Sequence, residues 1–310
     1  MSAPESASSS AIPSLADIPA PSVRLDPVAL ARIRRRLRSA PAPSWLHQEV
    51  ARRMAERLSL IRLTPRQVLD WSLDAGPPAE GLRSAYPQAT LQQVLPAGEA
   101  VSPAPWWKRW LGTGAAVPVA AEAVAPAGAG LVWSNMALQF ENDPPALFAA
   151  WRRALGAEGF VMFSTLGPGS LPELRAVYAA EGWGEPHVPF VDMHDLGDML
   201  VQAGFADPVM DQETLTLTYG SAEQLLAELR GWGGNAAPGR SPVLRGRAWR
   251  ARLLQALQSR ADAQGRIRLT LELVYGHAFQ APERGPAVAA ETAVDLSTMR
   301  RMLKEPKSPR

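Results

Sequence analysis

The stretch Leu131-Val-Trp-Ser-Asn-Met-Ala-Leu-Gln-Phe140 decides the fold. Its apolar, β-branched and aromatic start stops at Ser134-Asn135, a helical run follows from Pro144 to Leu155, and a second apolar run occupies Glu158 to Gly167. Strand, helix, strand is a β–α–β unit, because short apolar runs bounded by turn residues suit strands and the spacing between them suits a helix. Such a unit is a piece of parallel sheet. In open α/β sheets ligands lie beyond the carboxyl ends of the strands, so Ser134-Asn135 and Ser164-Thr165 are the first places to look for a site.

Working outward toward the amino terminus, Gln67-Val-Leu-Asp-Trp-Ser72 reads as a short buried strand. Pro77-Pro78 begins a helix that ends before Pro87, and Thr90 to Leu95 is the next strand. Asp26-Pro27 joins an N-cap to a proline at the first helical position, and Leu30, Ile33 and Leu37 fall on one stripe of the helix it opens. The other face carries Arg32, Arg34, Arg35, Arg36 and Arg38, expected to be a solvated cationic face, with docking to an acidic partner as the alternative. Ser44 caps another helix, in which Leu46, Val50, Met54 and Leu58 form the buried stripe.

Toward the carboxyl terminus, helices are expected from Leu171 to Ala180, Met193 to Ala203, Ser221 to Leu229 and Trp249 to Ala261. Thr214 to Tyr219 and Ile267 to Ala278 alternate as strands do, and should form an antiparallel edge on a mainly parallel sheet. The resulting organisation is a disordered tail over 1–22, a basic helix and linker over 23–43, a domain over 44–282 and an extension over 283–310. Between the early strands and the central unit lies an Ala/Gly/Pro-rich stretch whose Trp106, Trp107 and Trp110 read as a satellite cluster pinning a long loop.

Composition excludes several classes. With 310 residues, 46% of them apolar, the chain can bury a large core. No window approaches eighteen uninterrupted apolar residues and the first twenty lack a cationic start and an apolar segment, so a soluble, cytoplasmic protein without a membrane anchor is expected. Zero Cys removes disulfides, thiolate nucleophiles and Cys-ligated metals, and no metal site is expected. The formal charge is only +2 and Lys occurs only at Lys108, Lys304 and Lys307, which does not mark a nucleic-acid binder. Gly167-Pro-Gly169 lacks the Gly-Lys-Ser/Thr ending of a phosphate loop and reads as a turn. His187 and His194 with Asp192, Asp195 and Asp198 have ligand chemistry, but Asp192 is better placed as a helix N-cap.

Several segments in order carry a family resemblance: Leu131 to Phe140, Phe163-Ser-Thr-Leu-Gly-Pro168, Leu171-Pro-Glu-Leu174, Val191-Asp-Met-His-Asp-Leu-Gly-Asp198, Ala203-Gly-Phe-Ala-Asp-Pro-Val-Met-Asp211, Leu217-Thr-Tyr219 and Tyr275-Gly-His-Ala278. Together with Trp45 to Leu58 they resemble the S-adenosylmethionine-dependent methyltransferases of biotin synthesis, which methylate malonyl-acyl-carrier protein. The resemblance covers about three quarters of the chain. It implies an α/β class I methyltransferase fold, a Rossmann-like, seven-stranded, mostly parallel sheet between helices, with S-adenosylmethionine as cofactor and an acyl carrier protein as partner. The implied cofactor residues are Asp70, Ser72, Asp74, Gly76, Ser134 and Asn135; no side chain is assigned a catalytic role.

Two positions depart from the family pattern. Asp70-Trp-Ser-Leu-Asp-Ala-Gly76 puts Ser72 and Asp74 where two of three family glycines stand, although close backbone approach to a ligand favours glycine. Asp74 also sets a carboxylate near the place of the methionine carboxylate. Val94-Leu-Pro96 offers no acid for the ribose hydroxyls, leaving Glu99 as a more distant substitute. The loop thus admits two readings: a working carboxyl methyltransferase, or a catalytically silent homologue that binds a partner or an acyl carrier.

Overall fold

The computed structural model describes residues 24–73, 80–99, 118–241 and 245–281. Seven strands, β1 (Gln67–Asp70), β2 (Thr90–Leu95), β3 (Val119–Ala120), β4 (Ala129–Ser134), β5 (Leu155–Leu166), β6 (Phe205–Tyr219) and β7 (Ile267–Gln280), form one sheet in the order β3-β2-β1-β4-β5-β7-β6. The β1–β2, β1–β4, β2–β3 and β4–β5 pairs are parallel, whereas β7 runs antiparallel to both β5 and β6. Only β7 is therefore reversed. The two late strands do pair antiparallel as expected, but the last one is inserted inside the sheet and β6 forms the edge. This is the class I methyltransferase sheet that the resemblance implies.

Helices cover both faces, which explains why β4 and β5 read as nearly continuous apolar runs. On one face pack α2 (Trp45–Arg57), α3 (Glu80–Ala85), α5 (Pro172–Glu181), α7 (Ala222–Gly231) and α8 (Arg247–Gln258), through residues such as Met54, Leu82, Leu174, Leu225 and Leu257. On the other pack α4 (Pro144–Ala154) and α6 (Met193–Gln202), through Phe148, Trp151, Leu196 and Leu200. Successive side chains of β4 alternate between the two cores, with Leu131 and Trp133 in the first and Val132 in the second. Among the described residues no helix is long and apolar enough to cross a membrane.

Two elements differ from expectation for physical reasons. β6 begins at Phe205, nine residues before the expected Thr214, and runs through Pro208 with a register shift between Ala206 and Val209. Ala-Asp-Pro looks like a strand breaker, yet an edge strand has no second partner for the missing N–H and a bulge absorbs the extra residue. β3 is two residues long, too short for any periodicity to show.

The amino-terminal helix α1 (Pro27–Ser39) packs against residues that follow the carboxyl ends of β1 and β4. Asp26 caps it as expected, its Oδ1 accepting the Ala29 N–H at 2.8 Å. The Leu30, Ile33 and Leu37 stripe is buried against Leu73 after β1, Phe140 after β4, Val188 and Ala236-Ala237. The solvated cationic face requires correction, because three of its five arginines turn toward the body. Arg34 donates to Phe140 O at 3.3 Å, Arg36 donates to Gly233 O at 2.7 Å, and Arg38 pairs with Glu99. Gly233 has φ +120°, and a Cβ there would stand 2.8 Å from the Phe140 ring and 2.9 Å from Ile33 Cγ2. Only glycine lets the chain approach α1 so closely. Arg32 and Arg35 remain exposed without such a bond, and Arg36 is itself exposed beside its bond to Gly233 O.

The Trp cluster at 106–110, the start of the helix after Pro77, the terminal tail and the carboxyl-terminal extension lie outside the described residues.

Candidate active site

β1 and β4 are neighbours at the point where the chain switches direction across the sheet, since β2 and β3 are laid down on one side of β1 and β5 on the other. Pairing continues past the end of β1, with the Trp71 N–H donating to Trp133 O at 2.7 Å. The strand end then turns tightly, the Asp70 carboxylate accepting the Ser72 N–H at 2.9 Å in the manner of an Asx turn.

From Ser72 a chain of buried hydrogen bonds ties four elements together. The Asn135 N–H donates to Ser72 Oγ at 2.9 Å, and the Asn135 side-chain NH2 donates to His47 O of α2 at 2.9 Å. Ser164 Oγ of β5 donates to Asn135 Oδ1 at 2.9 Å and accepts the Met136 N–H at 3.1 Å. Met136 sits at φ +50°, a left-handed conformation that a non-glycine residue holds only when its surroundings fix it. Its N–H bond to Ser164 and the Gln139 amide bond to Met136 O at 2.8 Å do so. Ser72, Asn135 and Ser164 are all buried, where hydrogen bonds such as these are strengthened by the low local dielectric.

Beside this network opens a cleft of about 840 Å³. Asp70, Ser72, Trp133 and Asn135 form its floor, α2 contributes Trp45, His47, Glu49 and Arg52, and α3 contributes Glu80 and Arg83. The structure thus brings three of the six expected cofactor residues, Asp70, Ser72 and Asn135, to one cavity. Ser134 is not among the lining residues; it shares the face of Val132, toward α4, and is fully buried there. Asp74 and Gly76 lie outside the described residues. Glu99, the substitute acid, is engaged by Arg38 of α1. Sequence reasoning missed Glu80 and Arg83, because a six-residue helix gives too little periodicity to show which way its charges face.

His194 and His277 are occupied away from the cleft. Asp192 caps α6, its carboxylate accepting the His194 N–H at 2.8 Å and meeting His194 Nδ1 at 2.7 Å, and the backbone bond first and the ring second lower its pKa. His277 lies in mid-strand edge-on to Phe279, where burial lowers its pKa.

Glu49 on the cleft wall receives Arg52 and Arg53, and these guanidiniums, Arg52 foremost, hold its carboxyl at about 2 against an ordinary 4.5. A carboxyl depressed in the folded state stabilises the fold above its unfolded pKa and loses that contribution as pH falls toward the folded one. Melting temperatures measured from pH 6 to pH 2.5 should therefore fall less steeply for Glu49→Gln than for the wild type, with the difference developing below about pH 4.5. Parallel curves would show that the pair adds nothing.

No protein-family profile matches the chain. Curated relatives do. A malonyl-[acyl-carrier protein] O-methyltransferase from Gallionella capsiferriformans is 41% identical over 255 residues, covering 78% of this chain and 87% of the relative. One from Laribacter hongkongensis is 40% identical over 259 residues, covering 77% and 84%. Among solved structures, the YcgJ protein from Bacillus subtilis superposes with a TM-score of 0.50 at 13% identity, covering 75% of this chain and 98% of that one, which supports the fold alone. At this identity and coverage to the curated relatives, the chain belongs to the malonyl-[acyl-carrier protein] O-methyltransferase family.

Proposed function

We propose that this protein methylates the free carboxylate of a malonyl thioester carried on acyl carrier protein, with S-adenosylmethionine as methyl donor. The observation that carries the reading is the cleft at the β1/β4 switch point, in a chain that is 41% identical, over 255 aligned residues, to an enzyme named for that reaction. Nothing among the relatives favours a silent homologue.

The residues present fit the donor. The cleft volume of about 840 Å³ falls within the usual range for small-molecule sites. Asp70 and Glu80 offer carboxylates to a ligand carrying a sulfonium and an ammonium group, the exposed Trp45 offers a ring face, and Arg83 offers a guanidinium to a carboxylate. Ser72, at a position where the family has glycine, uses its hydroxyl to accept the Asn135 N–H. We assign Asp70, Ser72 and Asn135 to the donor site, while Asp74 and Gly76 lie outside the described residues; Ser134 backs the strand from the opposite face.

When bound, S-adenosylmethionine supplies an activated methyl on a good leaving group. The protein's part is then mainly alignment. A carboxylate is already a nucleophile at neutral pH, so no side chain has to remove a proton. The Ser72–Asn135–Ser164 chain fixes the ends of β1, β4 and β5 relative to one another, and the Asn135 bond to His47 O fixes α2 above them. A rigid floor of this kind holds two reactants in line.

Calorimetric titration with S-adenosylmethionine tests the donor site directly. A dissociation constant of about 100 μM or tighter, roughly −5.5 kcal/mol, is expected, followed by methyl ester formation on malonyl-carrier protein. No heat near millimolar ligand and no ester would overturn the proposal.

A further inference from the structure

We propose that the outer face of α1 is the surface on which the acidic carrier protein docks, a proposal that rests on the thioester reading above. The helix carries five arginines and no acidic residue over its thirteen positions. Three of the five are committed: Arg34, Arg36 and Arg38 reach Phe140 O, Gly233 O and Glu99 and hold the helix in place. The other two, Arg32 and Arg35, are exposed and have no hydrogen bond or ion pair among the described residues.

Arg32 and Arg35 are three residues apart and so share a side of the helix, while Val28 stands one turn before Arg32 with 57% of its surface exposed. Like charges at this spacing repel, so the pair brings no stability to the fold. Arg230 at the end of α7 adds a further cation close to Arg36. The result is an unneutralised cationic face around one exposed apolar side chain, which complements an acidic protein helix in charge and gives it an apolar contact.

The position supports the same partner. The end of α1 runs directly into Pro41-Ala42-Pro43, which line the mouth of the cleft together with Trp45, itself 51% exposed. A carrier seated on α1 therefore presents its flexible thioester-bearing arm at the cleft entrance. The inward arginines orient the helix; the outward ones are left to recruit.

The test compares the full-length wild type with Arg32→Glu/Arg35→Glu on two substrates, malonyl-carrier protein and carrier-free malonyl-pantetheine. The double variant should raise KM for the carrier substrate about tenfold with kcat little changed, and leave kcat/KM for malonyl-pantetheine as it was. Raising salt from about 50 to 300 mM should weaken the wild type toward the variant, and Arg32→Lys/Arg35→Lys should keep most of the carrier affinity. Equal KM for the carrier substrate in wild type and charge-reversed variant overturns the proposal. Anisotropy of a labelled carrier protein reads docking without turnover. If neither thioester is methylated but the wild type binds the carrier and the variant does not, the reaction assigned above is wrong and the docking surface stands. Absence of carrier binding by the wild type removes the docking surface whatever the chemistry.

Discussion

Asn135→Leu is expected to abolish methyl transfer and to lower folding stability by about 2–3 kcal/mol. The variant loses two buried side-chain hydrogen bonds, to His47 O and from Ser164 Oγ, and keeps only the main-chain bond to Ser72. Each such bond contributes about 1 kcal/mol net, and the Ser164 hydroxyl additionally loses its acceptor in a fully buried place. A branched apolar side chain then stands on the floor of the cleft, where the donor's polar groups are proposed to lie. Chemical denaturation should show a lower midpoint with an unchanged slope, and calorimetry should show no binding of S-adenosylmethionine at a temperature where the variant is folded. Turnover within twofold of the wild type would remove Asn135 from the site. The stability loss matters to the interpretation, because it shows that one residue both builds the floor and holds α2 over it.

What could be foreseen from the chain follows the range of the interactions involved. The helix starts were legible because caps are local: Asp26, Ser44, Asp192 and Ser221 each accept the N–H two or three residues on. The central β4–α4–β5 unit was legible because burial on both faces leaves continuous apolar runs. β6 was half legible, since its bulged first part around Pro208 is tolerated only by an edge position that no local signal reveals. The site divides the same way. Ser72 and Asn135 were visible by their place after strands, but Asn135 finds His47 O 88 residues away and Ser164 29 residues away. The arginine face misled for the same reason, since Arg34 and Arg36 meet backbone carbonyls 106 and 197 residues distant. Periodicity located the crevice; the reaction came from the resemblance, which the curated relatives bear out.

Trp151→Ala should cost about 3–5 kcal/mol, while Trp151→Phe should cost no more than about 1 kcal/mol. Trp151 is fully buried at the centre of an aromatic group, with ring centroids 5.3 Å from Phe148, 5.9 Å from Phe163 and 6.5 Å from Trp71. Truncation to alanine empties that space, and rigid strands on one side and α4 on the other limit collapse into it. The phenylalanine variant behaves differently because the indole N–H has no hydrogen-bond partner among the described residues. Removing a buried donor without an acceptor recovers part of what the smaller ring loses in contact. Urea midpoints at constant slope distinguish the two substitutions, and equal losses would mean that the indole N–H is satisfied after all. The aromatic group also reaches the site. Trp71 leans on Trp151 from the turn that carries Asp70 and Ser72, and its main chain is what clamps β1 to β4 at Trp133. A cavity beneath Trp71 lets that turn shift, so Trp151→Ala should lose methyl transfer beyond its unfolded fraction, whereas Trp151→Phe should retain it. Activity that tracks the folded fraction alone in both variants would show that the floor of the cleft is set by the hydrogen-bonded chain through Asn135 without support from the core behind it.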